Sequence, residues 1–181
     1  MYFRLPLLLF GILFGFSAAT GNASQSVADQ ALSWMKCPPK NPFIHDRCTT
    51  QCCSGSNWDL TCIGFVEQVS LRANGKVDPQ LIVGFPKVGQ IYGNVTEAFR
   101  AMEKAGRAHY DLNPSPGAAV FFAIAGFSPG HIVISSGLIG PDGGPLMVTT
   151  GAPSWKTGIH LESLQEMKSR AYWKYLGWAE L

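Results

Sequence analysis

The second half of the chain is a series of short apolar runs separated by turn residues, and this pattern limits the fold more than any other feature. Residues 118–125 are continuously apolar, which is typical of a strand buried on both faces. Further strand-like runs follow at residues 131–136, 145–150, 157–161 and 172–178. Ser128-Pro129-Gly130 and a glycine-rich segment at 140–144 supply turns. Because strands so close along the chain pair through short loops, we expect an antiparallel sheet.

The first half of the chain has the periodicity of helices instead. Apolar residues recur at helical spacing in three segments, residues 24–35, 62–73 and 94–105. Gly75 and Gly106 follow the last two as stop signals. Residues 38–57 and 74–93 are rich in turn-forming residues, which predicts loops, and a further helical turn is expected at 163–168. Helices followed by strands indicate an α+β fold, with one layer of helices on an antiparallel sheet.

The N-terminal segment has the features of a secretory signal peptide. A basic residue precedes an apolar stretch at residues 5–16, and Ser17-Ala18-Ala19 supplies the small residues of a cleavage site. The apolar stretch is shorter than a bilayer span requires, and no later segment is long enough. We therefore expect residues 1–19 to be removed and the protein to be secreted, extracellular or periplasmic, without a membrane span. The rest is expected to form one domain, with a helix and cysteine-rich loop (20–57) before a core (58–181).

Four of the five cysteines crowd one short loop, and the fifth lies apart from them. In an oxidising compartment this distribution predicts two disulfides among the clustered residues, Cys37, Cys48, Cys52 and Cys53. A zinc site is the alternative, but no histidine or cysteine completes the usual paired spacing, so we expect no metal and no cofactor. The count leaves Cys62 as a free thiol.

The charge of the chain gives no sign of a polyanionic partner. The formal net charge is +2 and the basic residues do not cluster, which argues against nucleic acid binding. Two sequons, at Asn22 and Asn94, fit N-glycosylation in a eukaryotic host. Asn94 with Glu97 also resembles a helix capping box, which would compete with glycan attachment. We expect a monomer.

Cys62 lies where an apolar helix is expected to begin. Asp59 and Thr61 are both candidate caps, and a cap at Asp59 places Cys62 in the first turn. Free backbone N–H groups and the helix dipole at that end favour the thiolate, which is the reactive form of cysteine. A buried core cysteine is the alternative interpretation.

A thiolate nucleophile needs a base, and His131 is the best placed of the four histidines. It follows Pro129-Gly130 at the start of an apolar core strand, which is an unusual position for a histidine unless its ring serves a site. Taken alone, His131 fits a surface or structural histidine. Together with Cys62 at a helix start, it indicates a nucleophile and its base.

Three segments around these residues form an ordered set, residues 61–66 (TCIGFV), 116–122 (PGAAVFF) and 130–134 (GHIVI). They resemble the Asp-Cys-Ser-Gly-Phe/Leu-Val helix start, the Pro-Gly-Asp-Leu-Val-Phe-Phe strand and the Gly-His-Val-Gly-Ile strand of the NlpC/P60 superfamily. That superfamily comprises papain-like cell-wall peptidases and amidases and is related to the CHAP domains. The resemblance extends from Ser24 to the C-terminus and implies a papain-like NlpC/P60 fold.

The resemblance also implies roles for individual residues. Cys62 corresponds to the nucleophile and His131 to the general base. The third, polar residue of the family lies on the strand after the histidine, where Thr149 is nearest to that position, with Thr150 and His160 as alternatives. The chain departs from the pattern here, because the family usually has His, Asn or Gln, and a threonine hydroxyl orients an imidazole more weakly.

The function that the resemblance implies is hydrolysis of an amide bond in peptidoglycan stem peptides or a comparable peptide. The chain has Thr61, Ile63 and Ala118 where the family has Asp, Ser and Asp. These departures leave two alternatives: a catalytically inactive, disulfide-stabilised binding domain of the same fold, and a lipid acyltransferase that uses the same Cys–His pair. Cys53-Ser54-Gly55 matches the family's Cys-Ser-Gly literally, but no apolar helix follows it.

Overall fold

The computed structural model describes residues 21–35, 62–84, 93–150 and 159–181. Within these ranges the helices are α1 (Gly21–Trp34), α2 (Cys62–Asn74), α3 (Pro79–Ile82), α4 (Val95–Lys104) and α5 (Leu164–Ser169). The strands are β1 (Ala108–His109), β2 (Ala119–Ile124), β3 (Phe127–Ile139), β4 (Pro145–Thr150), β5 (Ile159–Ser163) and β6 (Trp173–Ala179). The two-residue strand β1 was not expected from the sequence.

The six strands form one sheet in the order β1-β6-β2-β3-β4-β5, and every neighbouring pair is antiparallel. Strands β2 to β5 are neighbours in the order in which they follow along the chain. Strand β6 returns to the other side of β2 and lies between β2 and β1. The expected antiparallel sheet is confirmed, and the mixture of helices and sheet agrees with the α+β class.

The expected turn at Ser128-Pro129-Gly130 is wrong. These residues lie inside β3, whose pairing with β2 begins with Phe127 opposite Ile124. The chain reverses earlier, through Gly126, which has a φ of 76° that favours glycine. Between Phe127 and His131, β3 contains more residues than the facing part of β2, so the extra residues form a bulge. Proline is tolerated in a bulge because its missing N–H breaks no ladder bond.

The two faces of the sheet carry separate apolar clusters. The broad face packs against α1, α2 and α4, and its buried strand residues are Ala119, Phe121, Ile132, Ile134, Val148 and Ala179. The opposite face, here the α5 face, buries Ala118, Val120, Phe122, Val133, Met147 and Trp178 with Leu164 and Met167 of α5. The expected single layer of helices is therefore wrong, because strands that are apolar on both faces need cover on both sides.

The two long helices after residue 60 lie close to their expected positions. Helix α2 buries one apolar stripe against the broad face and ends before Gly75, whose φ is 72°. Helix α4 begins after Asn94, whose side-chain oxygen accepts a hydrogen bond from the N–H of Glu97 at 3.1 Å. The predicted cap is thus confirmed, and the signals that determine these helices are local.

Helix α3 lies in a segment that was expected to be a loop. The Asp78 carboxylate accepts a hydrogen bond from the N–H of Gln80 at 2.9 Å, and Pro79 occupies the first turn. Arg107 holds this cap, since its Nη2 donates to Asp78 at 2.6 Å and its Nη1 to Gln80 at 2.9 Å. The signal was present in the sequence as a capping residue followed by proline.

Several sequence predictions concern residues outside the described ranges. They are the signal peptide at residues 1–19, the four clustered cysteines and the candidate caps Asp59 and Thr61. Helix α1 packs into the same apolar cluster as α2, through Val27, Ala31 and Trp34. Among the described residues, no helix combines the length and the apolar character that crossing a bilayer requires.

Candidate active site

Cys62 is the first residue of α2 and packs at the margin of the broad-face cluster. Its thiol is free. Its Sγ lies within hydrogen-bond reach of the backbone N–H of Ile132 in β3 and of the N–H of Ile63 in its own helix. The start of α2 thereby brings the sulfur to the β3 backbone one residue after His131.

Burial determines the protonation state of this thiol. It raises the pKa of Cys62 from 9.0 to about 11. The N–H groups of Ile132, Ile63 and Cys62 lower the pKa because they stabilise the thiolate, but burial dominates. The thiolate that a helix start favours is therefore not the resting form, and at neutral pH Cys62 is a thiol.

His131 is buried on β3 with its ring on the α5 face of the sheet. It lies opposite Phe122, which belongs to the α5-face cluster. Its ring centroid is 5.1 Å from that of Trp173, and its Nε2 is 2.8 Å from Oγ1 of Thr149. A partner on β4 and an aromatic wall on β6 thus hold the ring in place.

The surroundings of His131 keep its ring neutral. Burial lowers the pKa of His131 from 6.5 to about 3, and electrostatic interactions with Arg170 and then His160 act in the same direction. A neutral imidazole has one N–H and one lone pair. In the tautomer in which Nε2 donates to Thr149, Nδ1 is the basic nitrogen.

The three candidates for the polar partner of His131 take different positions. Thr149 is fully buried and carries the hydrogen bond to the ring. Thr150 is the next residue of β4, so its side chain belongs to the broad face and away from the ring. His160 lies opposite Thr149 on β5, with its Nε2 3.9 Å from a carboxylate oxygen of Glu162.

The structure brings His131 and Thr149 together but does not join Cys62 to His131 by a hydrogen bond. Both residues are in the described part of the chain, where the ring of His131 bonds to Thr149 and the sulfur is directed to backbone N–H groups. Cys62 packs with the broad-face cluster, whereas the His131 ring lies on the α5 face. The two side chains approach β3 from opposite faces.

Three residues beside His131 were not singled out from the sequence. Glu162 of β5 forms an ion pair with Arg170, which follows α5. Burial raises the pKa of Glu162, and the Arg170 guanidinium acts in the opposite direction. The guanidinium carbon of Arg170 lies 4.5 Å from the ring centroid of Trp173. No sequence signal marks this cluster, because the sheet brings together residues from separate elements.

The remaining sequence-predicted sites take positions away from this cluster. Asn94 uses its side-chain oxygen as the cap of α4, and Asn22 belongs to the first turn of α1. Within the described ranges, no group of three or more His, Cys, Asp or Glu residues is arranged to hold a metal ion.

Comparison with protein-family models gave no match for this chain, and comparison with curated proteins gave none either.

Proposed function

We propose that this protein is a secreted cysteine hydrolase of the NlpC/P60 type, which cleaves an amide bond in peptidoglycan stem peptides or a comparable peptide. Cys62 acts as the nucleophile and His131 as the general base, and Thr149 orients His131. The observation that carries the proposal is the position of Sγ at the N–H of Ile132, the residue that follows His131 in β3, together with the 2.8 Å distance between Nε2 of His131 and a buried threonine hydroxyl.

The resting pair fits a mechanism that starts from neutral groups. Because Cys62 is a thiol and His131 a neutral imidazole at neutral pH, the proton moves as the thiol attacks, without a preformed ion pair. Sγ forms a bond to the carbonyl carbon while its proton passes to Nδ1 of His131. Backbone N–H groups at the start of α2 stabilise the oxyanion.

The second half of the reaction returns both groups to their starting state. The C–N bond breaks, and the leaving amine takes the proton from His131, which leaves a thioester on Cys62. His131 then accepts a proton from water as the oxygen of that water attacks the thioester carbon. The C–S bond breaks, and the sulfur recovers the proton. For these steps Sγ has to leave the Ile132 N–H and reach Nδ1, so Cys62 and His131 have to move relative to each other from the positions that the structure shows.

Digestion of purified sacculi tests the proposal, with released fragments identified by mass. The natural chain is expected to release stem-peptide fragments, and Cys62→Ala is expected to lower the release to the level of untreated sacculi. Cys62→Ser is the matched variant, because it keeps a side chain of similar size and replaces the thiol with a much weaker nucleophile. It is expected to lose at least about a hundredfold in rate while circular dichroism stays unchanged.

Full release by Cys62→Ala would refute Cys62 as the nucleophile. His131→Gln supplies the second arm, since it removes the base and leaves the thiol in place. Release that survives in His131→Gln while Cys62→Ala is inactive would assign the base to another residue.

A catalytically inactive binding domain is the second candidate, and one observation favours it. The thiol and the ring lie on opposite faces of β3, with no hydrogen bond between them. This candidate predicts that the natural chain and Cys62→Ala sediment with sacculi equally and that neither releases fragments. If the natural chain sediments with sacculi but releases no peptidoglycan fragments, the binding domain is favoured over the hydrolase.

A further inference from the structure

A partly buried ion pair lies on the same face of the sheet as the His131 ring, away from Cys62. Glu162 is 7% exposed, and one of its oxygens accepts a hydrogen bond from Nη2 of Arg170. Its other oxygen is 3.9 Å from Nε2 of His160. Such an ion pair adds little net stability, because withdrawing charges from water offsets much of their attraction.

The ion pair reaches His131 through an aromatic ring. The guanidinium carbon of Arg170 is 4.5 Å from the ring centroid of Trp173, within the range of a cation–π contact. The same ring packs against His131, with centroids 5.1 Å apart. Phe122 also packs against Trp173, with ring centroids 5.3 Å apart. Arg170 is thereby fixed by a carboxylate on one side and a ring on the other.

The elements around His131 contribute few other charged groups within the described residues. Helix α2 presents the Cys62 thiol on the far side of β3, β2 presents Phe122, and β4 presents Thr149. Strand β5 contributes His160 and Glu162, and Glu166 of α5 acts on Glu162. Arg170 is the permanent cation among the groups that act on His131.

We infer that Arg170, held by Glu162 and stacked on Trp173, is a positioning residue for His131 that disfavours the imidazolium and keeps the ring against Thr149. This inference rests on the proposed function, because a neutral ring with a free Nδ1 is what the attack by Cys62 requires. The Trp173 ring connects the Arg170 guanidinium to the His131 ring, and the charge of Arg170 is the largest contribution after burial to the lowered pKa of His131. If burial alone kept the His131 ring neutral, the ring would stay neutral without Arg170.

An NMR titration of the histidine rings in the full chain separates the two explanations. Arg170→Gln is expected to raise the pKa of His131 by at least about one unit, since it removes a nearby cation and leaves the Glu162 carboxylate unneutralised. At pH 4 this shift changes the protonated fraction of His131 from about one tenth to about one half. Arg170→Lys retains the charge and is expected to restore most of the original value.

Arg72→Gln is the matched control. The Arg72 guanidinium carbon also lies over an indole, 5.9 Å from the ring centroid of Trp34, but on α2 and away from His131. It is expected to leave the His131 titration unchanged. An unchanged titration in folded Arg170→Gln would overturn the inference and assign Arg170 a purely structural role.

A second variant keeps the test decisive if Arg170→Gln does not fold. Glu162→Gln removes the carboxylate and leaves the guanidinium charge unneutralised, so it is expected to lower the pKa of His131 further. An unchanged or raised pKa of His131 in folded Glu162→Gln would overturn the inference. The titration needs no substrate, so its result stands apart from the proposed hydrolysis. In an active enzyme, Arg170→Gln is also expected to shift the acid limb of the pH–rate profile upward by the same amount.

Discussion

Thr149 illustrates how much one hydroxyl determines at this site. A threonine oxygen both donates and accepts, so it satisfies either tautomer of the neutral ring of His131. The hydroxyl is buried, and its distance to Nε2 is 2.8 Å. Threonine therefore holds the ring in place but leaves the choice of tautomer to the rest of the site.

Thr149→Val is expected to destabilise the protein by about 1–3 kcal/mol, because Nε2 of the buried His131 ring loses its hydrogen-bond partner. Valine has nearly the same shape as threonine, so packing is preserved. Urea unfolding measures the loss, and ¹⁵N shifts of the His131 ring report the accompanying change of tautomer.

Thr150→Val is the matched control for this prediction. Thr150 belongs to the same strand, and its side chain is directed to the other face of the sheet. Its substitution is expected to leave the His131 ring shifts unchanged. Equal ring shifts in both variants would show that the Thr149 hydroxyl does not determine the state of His131.

For single residues, the sequence predicted which side chains belong to the site better than it predicted how they are arranged. Cys62 at a helix start and His131 at the entrance of an apolar strand follow from local patterns. The thiol state of Cys62 does not, because it depends on burial, and the face on which the His131 ring lies depends on the bulge that precedes it. Glu162, Arg170 and Trp173 come from separate elements, and no spacing in the sequence connects them.

Among the elements, β3 departs most from its expected form. A proline and a glycine read as a turn, yet both lie within a strand of 13 residues. The reason is that Gly126 already reverses the chain two residues after β2 ends, so the later pair is used as a bulge. Helix boundaries were predicted better, since caps such as Asn94 act within a few residues of the chain.

Gly130→Ala is expected to destabilise the protein more than Gly75→Ala, by at least about 1 kcal/mol. Both glycines have a left-handed backbone, with φ of 68° and 72°, so an alanine costs both about the same backbone strain. A Cβ at Gly130 would lie 2.6 Å from the carbonyl oxygen of Phe122, whereas a Cβ at Gly75 would meet nothing within 4 Å. Urea unfolding of the two variants gives the difference. Equal losses would show that the bulge relaxes freely around an added methyl group.

At the scale of the whole molecule, Cys62 and His131 limit stability from opposite ends of the pH range. The pKa of His131 is lowered from 6.5 to about 3 on folding, so between these values the unfolded chain binds a proton that the native ring does not. Stability therefore falls as the pH drops below about 6.5. The pKa of Cys62 is raised from 9.0 to about 11, so above pH 9 the unfolded chain loses a proton that the native thiol keeps. Stability therefore also falls as the pH rises above about 9.

The free energy of unfolding is thus expected to be flat with respect to these two groups between about pH 6.5 and 9 and to decline on both sides, with a limiting slope of about 1.4 kcal/mol per pH unit for each. Urea unfolding at pH 5, 7.5 and 10 measures both declines.

Two variants assign the declines to single residues. His131→Gln is expected to remove one proton from the acid slope only, and Cys62→Ala one proton from the alkaline slope only. Comparison of each variant with the natural chain cancels the contributions of Glu162 and of Tyr175, whose pKa burial raises above its usual value. An acid slope that His131→Gln leaves intact would mean that the native ring is protonated near its ordinary pKa. His131 would then be protonated below about pH 6.5 and could not accept the proton of the Cys62 thiol there.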